Sequence, residues 1–345
     1  MTDRTPVLDM DTLAAAYSAD IHLEGGDVSS ACAHVLPFMY GNPERRDWQF
    51  FPTVSQEVFE YLGERMGMGN GFFVPPVGGT YFGRPDVDKG ITRIVMFTEG
   101  SGGKTVIHIR STPLTPPMFD WYPAGGGDAW TMFTDMVQAA IVHRVSFILC
   151  GATGGGKTRL LVSGIFPFLC WRGSKVLYVE FYPELAERLR REYAGPHIFL
   201  SLRSPGVGQE TALPLEDVIR MARTADVNYV VFQEVYMSTG LGFGASMQHV
   251  ADLAASGIPF AFTTHPSGDN AVLTARRYRE TIYVPCRMLV IVVARREIQA
   301  VYSSPDAGEI LIWECKPDEE NGVVYRAYPH ASLPEGLRGI IEAIG

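Results

Sequence analysis

A chain of 345 residues, 46% hydrophobic and 19% charged, has enough apolar side chain for a sizeable core, which excludes wholesale disorder. At roughly 150 residues per domain, the length predicts about two domains. Lys and Arg number 29 against 38 Asp and Glu, and the formal net charge of −9 argues against a protein whose main task is to coat nucleic acid. No apolar run reaches the ~18–20 residues of a membrane-crossing helix; the nearest, 161–171, is interrupted by Pro167. The acidic first twenty residues lack the apolar stretch of a secretory signal. Cys32, Cys150, Cys170, Cys286 and Cys315 are scattered without a CxxC pair, so neither a disulfide framework nor a zinc clip is expected. These features predict a soluble cytoplasmic α/β-type protein.

Residues 1–70 read as a mostly helical start. Within them, 55–66 puts Val58, Phe59, Leu62 and Met66 on one helical face, with Ser55 as N-cap. Strands are expected at 72–74, 91–97 and 105–109, separated by glycine clusters such as Gly-Ser-Gly-Gly at 100–103. Together these predict a small α+β domain over 1–112. Between Ser111 and Gly127 lie four prolines and a closing run of three glycines, which predicts a linker over 113–128. A hinge between mobile domains and a surface loop inside one domain are both compatible with that composition.

The remainder, 129–345, begins with a helical pattern at 130–142. The continuous apolar run 145–150 follows, as expected of a buried parallel strand. Further strands are expected at 176–179, 197–200, 229–232 and 260–264. Helical stretches separate most of them, which predicts a parallel sheet covered on both faces. Four closely spaced strands, 288–294, 297–302, 309–313 and 322–327, read as an antiparallel meander.

The run Gly151-Ala152-Thr153-Gly154-Gly155-Gly156-Lys157-Thr158 fits G-x-x-x-x-G-K-[ST], directly after an apolar strand and before a helix. Glycines let successive backbone N–H groups converge on phosphates, and the helix adds its positive N-terminal end. In such a loop Lys157 reaches the β- and γ-phosphates of ATP, and Thr158 holds Mg²⁺. A plain glycine-rich turn would explain neither the buried strand in front nor three adjacent glycines. The strand 229–232 delivers Glu234 to the crevice beyond the sheet, suited to a water-positioning or metal-shell role, or to a solvent-facing position at a strand end. A second strand ends in Glu180. Pro183 is expected to open a helix with Glu184 in its first turn, as N-terminal charge. His265 ends a further strand beside Thr263, Thr264 and Ser267, either sensing phosphate or serving structure.

In this order the motifs resemble those of the type II/IV secretion system ATPases, the ring motors of secretion, conjugation and type IV or Flp/Tad pilus machines. The resemblance spans roughly residues 70–330. It lies in the phosphate loop GATGGGKT, in VEFYPEL (similar to the family's acidic box), in VVFQEV (similar to its Walker B strand), in TTHPSGDNAVLTARR (similar to its histidine box), and in VIHIRST. It implies a RecA-like P-loop NTPase domain behind a smaller α+β N-terminal domain, assembled as a homo-hexamer. Such a ring would use ATP and Mg²⁺ and work on membrane-embedded platform proteins at the inner face of the membrane, without direct nucleic acid. By the same resemblance Glu180 activates water, Glu234 is the Walker B glutamate and His265 contacts the γ-phosphate region. Arg110, in VIHIRST, brings charge from the N-terminal domain. Gln233, Tyr236, Phe181 and Asp226-Val-Asn depart from the family's usual residues. A DNA-packaging or transfer motor, and an ATP-binding regulator without turnover, are the alternative readings.

Overall fold

The computed structural model describes residues 6–15, 19–24, 30–37, 49–67, 79–89, 91–98, 105–111, 126–152, 155–171, 173–181, 183–202, 215–236, 245–265, 286–294, 297–304, 310–318, 322–327 and 335–344. The chain divides into two compact units. One comprises Met1–Pro116 with Tyr182–Arg191 and Ser201–Leu213; the other comprises Pro117–Phe181, Glu192–Leu200 and Pro214–Gly345.

The first unit opens with β1 (Val7–Leu8), α1 (Met10–Ala15), β2 (Ala19–Glu24), β3 (Cys32–Pro37), β4 (Gln49–Phe51), β5 (Thr53–Val54) and α2 (Gln56–Met66). It continues with β6 (Gly79–Gly83), β7 (Ile91–Thr98) and β8 (Thr105–Ser111). A six-stranded antiparallel sheet runs in the order β4-β3-β2-β8-β7-β6, and β1 pairs with β5 in parallel. The expectation of a mostly helical start is therefore corrected. The decisive pattern is period two: Leu23, Ala33, Val35, Ile94, Met96, Ile107 and Ile109 fill one buried cluster at alternate strand positions. The expected strand at 72–74 lies outside the described residues.

α2 forms as its pattern requires. Ser55 caps it, its Oγ accepting from Val58 N at 3.4 Å, and Gly67 ends it in the left-handed region at φ 70°. Its apolar face, Val58, Phe59, Leu62 and Met66, packs into the same cluster as the sheet. Beside it, the buried Asp86 carboxylate accepts from Tyr61 Oη and Arg65 Nη2, each at 2.8 Å.

The second unit contains α3 (Gly126–Val142), β9 (Ser146–Cys150), α4 (Lys157–Leu160), a π-helical turn (Leu161–Ile165), α5 (Phe166–Trp171) and β10 (Val176–Glu180). After β10 the chain forms α6 (Ala186–Glu192), nearly all of which belongs to the first unit, and then β11 (Ile198–Ser201), α7 (Leu215–Thr224), β12 (Tyr229–Phe232), β13 (Val235–Tyr236), β14 (Ala245–Ser246), α8 (Met247–Ala255) and β15 (Phe260–Thr264). The last elements are β16 (Met288–Ala294), β17 (Glu297–Ser304), β18 (Ile310–Asp318), β19 (Gly322–Ala327) and α9 (Glu335–Ile344).

A nine-stranded sheet runs β11-β10-β12-β15-β9-β16-β17-β18-β19. From β10 to β16 the registered pairs are parallel, and β17 to β19 extend the sheet antiparallel. The expected meander is thus a continuation of the parallel sheet, joined through β16 beside β9. Every residue of β9, β10, β12 and β15 is buried, which is why these strands read as unbroken apolar runs. The fold is α/β, with a separate N-terminal antiparallel sheet.

Two local expectations are corrected, and one proline is absorbed within a helix. α3 begins at Gly126, so residues 126–128 of the expected linker are helical. Pro167 does not break its helix: the preceding turn widens to a π turn, which accommodates a residue without an N–H donor and a ring that would crowd the carbonyl of Ser163. Pro183 and Glu184 lie in bends ahead of α6, whose first-turn acid is Glu187. Among the described residues no helix is long and apolar enough to cross a membrane.

Leu62, fully buried on α2, tests the core of the first unit. Leu62→Ala is expected to cost about 2–5 kcal/mol, read as a lowered urea midpoint, whereas the exposed Glu64→Ala should change it by less than about 0.5 kcal/mol.

Candidate functional site

The crevice at the carboxyl ends of β9, β12 and β15 gathers the polar groups of the second unit. β9 lies centrally, with β15 on one side and β16 on the other, both parallel to it. Strand connections leave β9 in one direction while β16 closes the other side, the position where open α/β sheets bind ligands.

The loop after β9 needs its glycines. A Cβ on Gly151 would come within 2.0 Å of the Val293 carbonyl oxygen, a contact that backbone on both sides cannot relieve. A Cβ on Gly155 would meet the Ala152 carbonyl oxygen at 3.0 Å and that of Val293 at 3.3 Å. Gly156, at φ 100° and ψ 2°, is the N-cap of α4, a conformation that L side chains rarely adopt. Backbone bonds from Gly155 N to Ala152 O (3.1 Å) and from Leu160 N to Gly156 O (2.9 Å) then turn the chain into the helix. Thr153 and Gly154 lie outside the described residues.

Lys157 opens α4 and is only 6% exposed. Its Nζ donates to the Ala152 carbonyl at 2.9 Å. Burial holds its pKa below the usual lysine value, and the nearby Glu234 carboxylate and Cys150 partly offset that. Thr158 follows, half-buried, on the same turn.

Glu234 lies two residues beyond the end of β12, and His265 directly follows β15. His265 Nε2 is 2.6 Å from Glu234 Oε1, both side chains about one-third exposed (35% and 29%). Lys157, Glu234 and His265 therefore share one neighbourhood, as their places on neighbouring strand ends require. Glu180, the last residue of β10, is 1% exposed. β10 stands three strand spacings from β9, about 14 Å, so Glu180 is set apart from the loop in the plane of the sheet. Arg110 belongs to the first unit; its backbone lies in β8, opposite Asp20 of β2 and Arg93 of β7.

One contributor escaped the sequence reading, and two residues noted there only as neighbours of His265 make bonds it did not state. The Val293 carbonyl walls the loop from β16, at a register shift between Val292 and Val293. The hydroxyls of Thr263 and Thr264 bond to the carbonyls of Gln233 and Val235, on either side of Glu234. The signal for the threonines was a hydroxyl pair closing an otherwise apolar buried strand.

A glycine loop and a buried lysine thus follow the central strand of the nine-stranded sheet. No family model and no curated protein matches this chain. Among solved structures, a KaiC-like protein from the hyperthermophilic archaeon Pyrococcus horikoshii is similar at 16% identity and TM-score 0.30, over 54% of this chain and 90% of its own. The VirB11 ATPase from the Brucella suis type IV secretion system, in complex with sulphate, is similar at 13% identity and TM-score 0.29, over 93% of this chain and 94% of its own.

A buried lysine costs stability. Lys157→Met is expected to raise the stability of the ligand-free protein by about 1 kcal/mol at pH 7, net of the lost bond to Ala152. Because the folded pKa is the lower one, the unfolded chain binds more protons as pH approaches the free lysine value, so the native protein gains stability there. Denaturant titrations from pH 7 to 10 should show the variant's advantage shrinking.

Proposed function

We propose that this protein binds ATP with Mg²⁺ at the loop 151–158 and hydrolyses it. The observation that carries this reading is the buried Lys157 behind a loop in which Gly151 has no room for a side chain and Gly155 and Gly156 would be strained by one, near the Glu234–His265 pair. A cradle in which an added Cβ would strike backbone has the shape required where phosphate oxygens approach main-chain N–H groups. Thr158 and Glu234 would hold Mg²⁺, which supplies charge neutralisation at the transferred phosphoryl group when bound. Lys157 provides fixed positive charge from inside the loop. Glu234 orients the attacking water through its carboxylate, and His265 Nε2 holds that carboxylate in place.

The finer reading rests on the sequence resemblance of the four motifs in order. On it, the chain is a subunit of a homo-hexameric motor that serves a secretion, conjugation or pilus machine and works against membrane-embedded partners from the cytoplasmic side. Arg110 would bring a further positive charge to the phosphates, and Glu180 would assist with water. Phe181, where the family's second acid stands, supports the competing reading of an ATP-binding regulator without turnover.

Lys157→Ala should weaken binding of a fluorescent ATP analogue by more than about 100-fold, since the described part of the loop holds no other cation. Glu234→Gln should keep binding within a few-fold and lower turnover by roughly 100-fold or more. Native-rate hydrolysis by Lys157→Ala would remove the loop from the reaction, and binding without turnover in the native protein would favour the regulator. Native mass measurement with and without a non-hydrolysable analogue tests the ring: a hexamer supports the motor, and a monomer under both conditions contradicts it.

A further inference from the structure

The ladder between β12 and β15 stops one residue short of the place where Glu234's segment must be held. Its registered pairs are Val230 with Phe260, Val231 with Ala261 and Phe232 with Phe262, and there β12 ends. Gln233 turns its N–H the other way, to the Val179 carbonyl of β10 at 2.9 Å.

Side chains take over where the backbone ladder ends. Thr263 Oγ1 donates to the Gln233 carbonyl, and Thr264 Oγ1 donates to the Val235 carbonyl at 2.9 Å. Both threonines are 1% exposed, so water cannot replace either hydroxyl. Successive strand residues project to opposite faces, so the two hydroxyls grip the segment from both sides of the sheet. The next residue, His265, places Nε2 2.6 Å from the Glu234 carboxylate itself. The same strand tip registers Thr264 against Cys150, the residue before Gly151. The last two residues of β15 and the residue that follows it thus connect the peptide groups flanking Glu234, and its carboxylate, to the entrance of the loop 151–158.

We infer that Thr263 and Thr264 are positioning residues for Glu234, acting through the carbonyls of Gln233 and Val235 to hold its carboxylate at a fixed place relative to Lys157. This deepens the ATPase reading and rests on it for its catalytic consequence. Valine has the shape and strand preference of threonine, so packing and β-propensity do not require a hydroxyl at either place.

Thr264→Val removes the hydroxyl and keeps the shape, and Thr264→Ser keeps the hydroxyl. Steady-state ATP hydrolysis by the full chain with Mg²⁺ should show kcat reduced about tenfold or more in Thr264→Val, KM within about twofold, and recovery in Thr264→Ser. In a Glu234→Gln background the valine substitution should bring no further loss, because it acts through the carboxylate it positions. Independently of turnover, the ¹⁵N resonance of His265 Nε2 should move in Thr264→Val towards its position in Glu234→Gln, and stay at its native position in Thr264→Ser. An unchanged kcat in Thr264→Val, or an equal loss in both backgrounds, overturns the positioning role while leaving the ATPase reading intact. Should the native protein not hydrolyse ATP, a moved resonance keeps the bracket and removes the hydrolytic reading, whereas a still resonance removes both.

Discussion

The burial of one positive charge constrains the rest of the crevice. Lys157 sits at 6% exposure with Nζ on a backbone carbonyl, and an ammonium group taken out of water is tolerated only with partners close by. The Ala152 carbonyl can reach Nζ only if the chain curls back within five residues, and that curl forces positive φ at Gly156 and flat contact at Gly151 and Gly155. The Glu234 carboxylate balances the charge from across β15. Glycine spacing, lysine burial and acid placement are therefore one requirement met by three stretches of sequence.

The wall of this arrangement comes from the far end of the chain. Val293 presents its carbonyl to the loop at the register shift of β16, and β16 keeps its place through parallel pairing with β9 and antiparallel pairing with β17. The C-terminal strands thus do more than extend the sheet. Without β16, the edge of β9 would face solvent, and no fixed backbone would limit how the loop folds over. The central strand that carries this loop has a neighbour on each side, β15 on one and the start of the meander on the other.

Legibility in the sequence followed the range of the forces involved. β12, β15, β16 and β19 match their expected bounds because a short, buried or evenly alternating strand is a local pattern. The glycine spacing of the loop 151–158 was legible because it is a local motif, but the contact that excludes a side chain at Gly151 comes from Val293, far along the chain, and no local pattern states it. The first seventy residues misled because β2 and β3 are six-residue strands whose alternation competes with scattered helical spacings; only pairing with β8 settles them. Pro167 looked like an interruption because a proline's cost is local, whereas the π turn that absorbs it is held by the buried packing of Leu161, Ile165, Phe166 and Leu169. In the site, Glu234 and His265 were readable as strand ends, but their 2.6 Å approach depends on β12 and β15 being neighbours, which no local pattern states.

That neighbourhood also explains why the acid does not stand on the strand next to the loop. With β15 between β9 and β12, the loop and Glu234 are set two strand spacings apart, about 10 Å, leaving room between them for groups that neither side chain could accommodate if the strands were adjacent. The intervening strand must then be stiff, or the separation would drift. β15 is buried along its whole length, registered to β9 at Phe147, Ile148, Leu149 and Cys150, and registered to β12 at Val230, Val231 and Phe232. Its last two residues turn polar where rigid backbone pairing on the β12 side runs out. Hydroxyls at that point continue the function of the ladder by other means, so the spacing fixed in the apolar middle of the sheet is carried unchanged to the polar tip where the chemistry would take place.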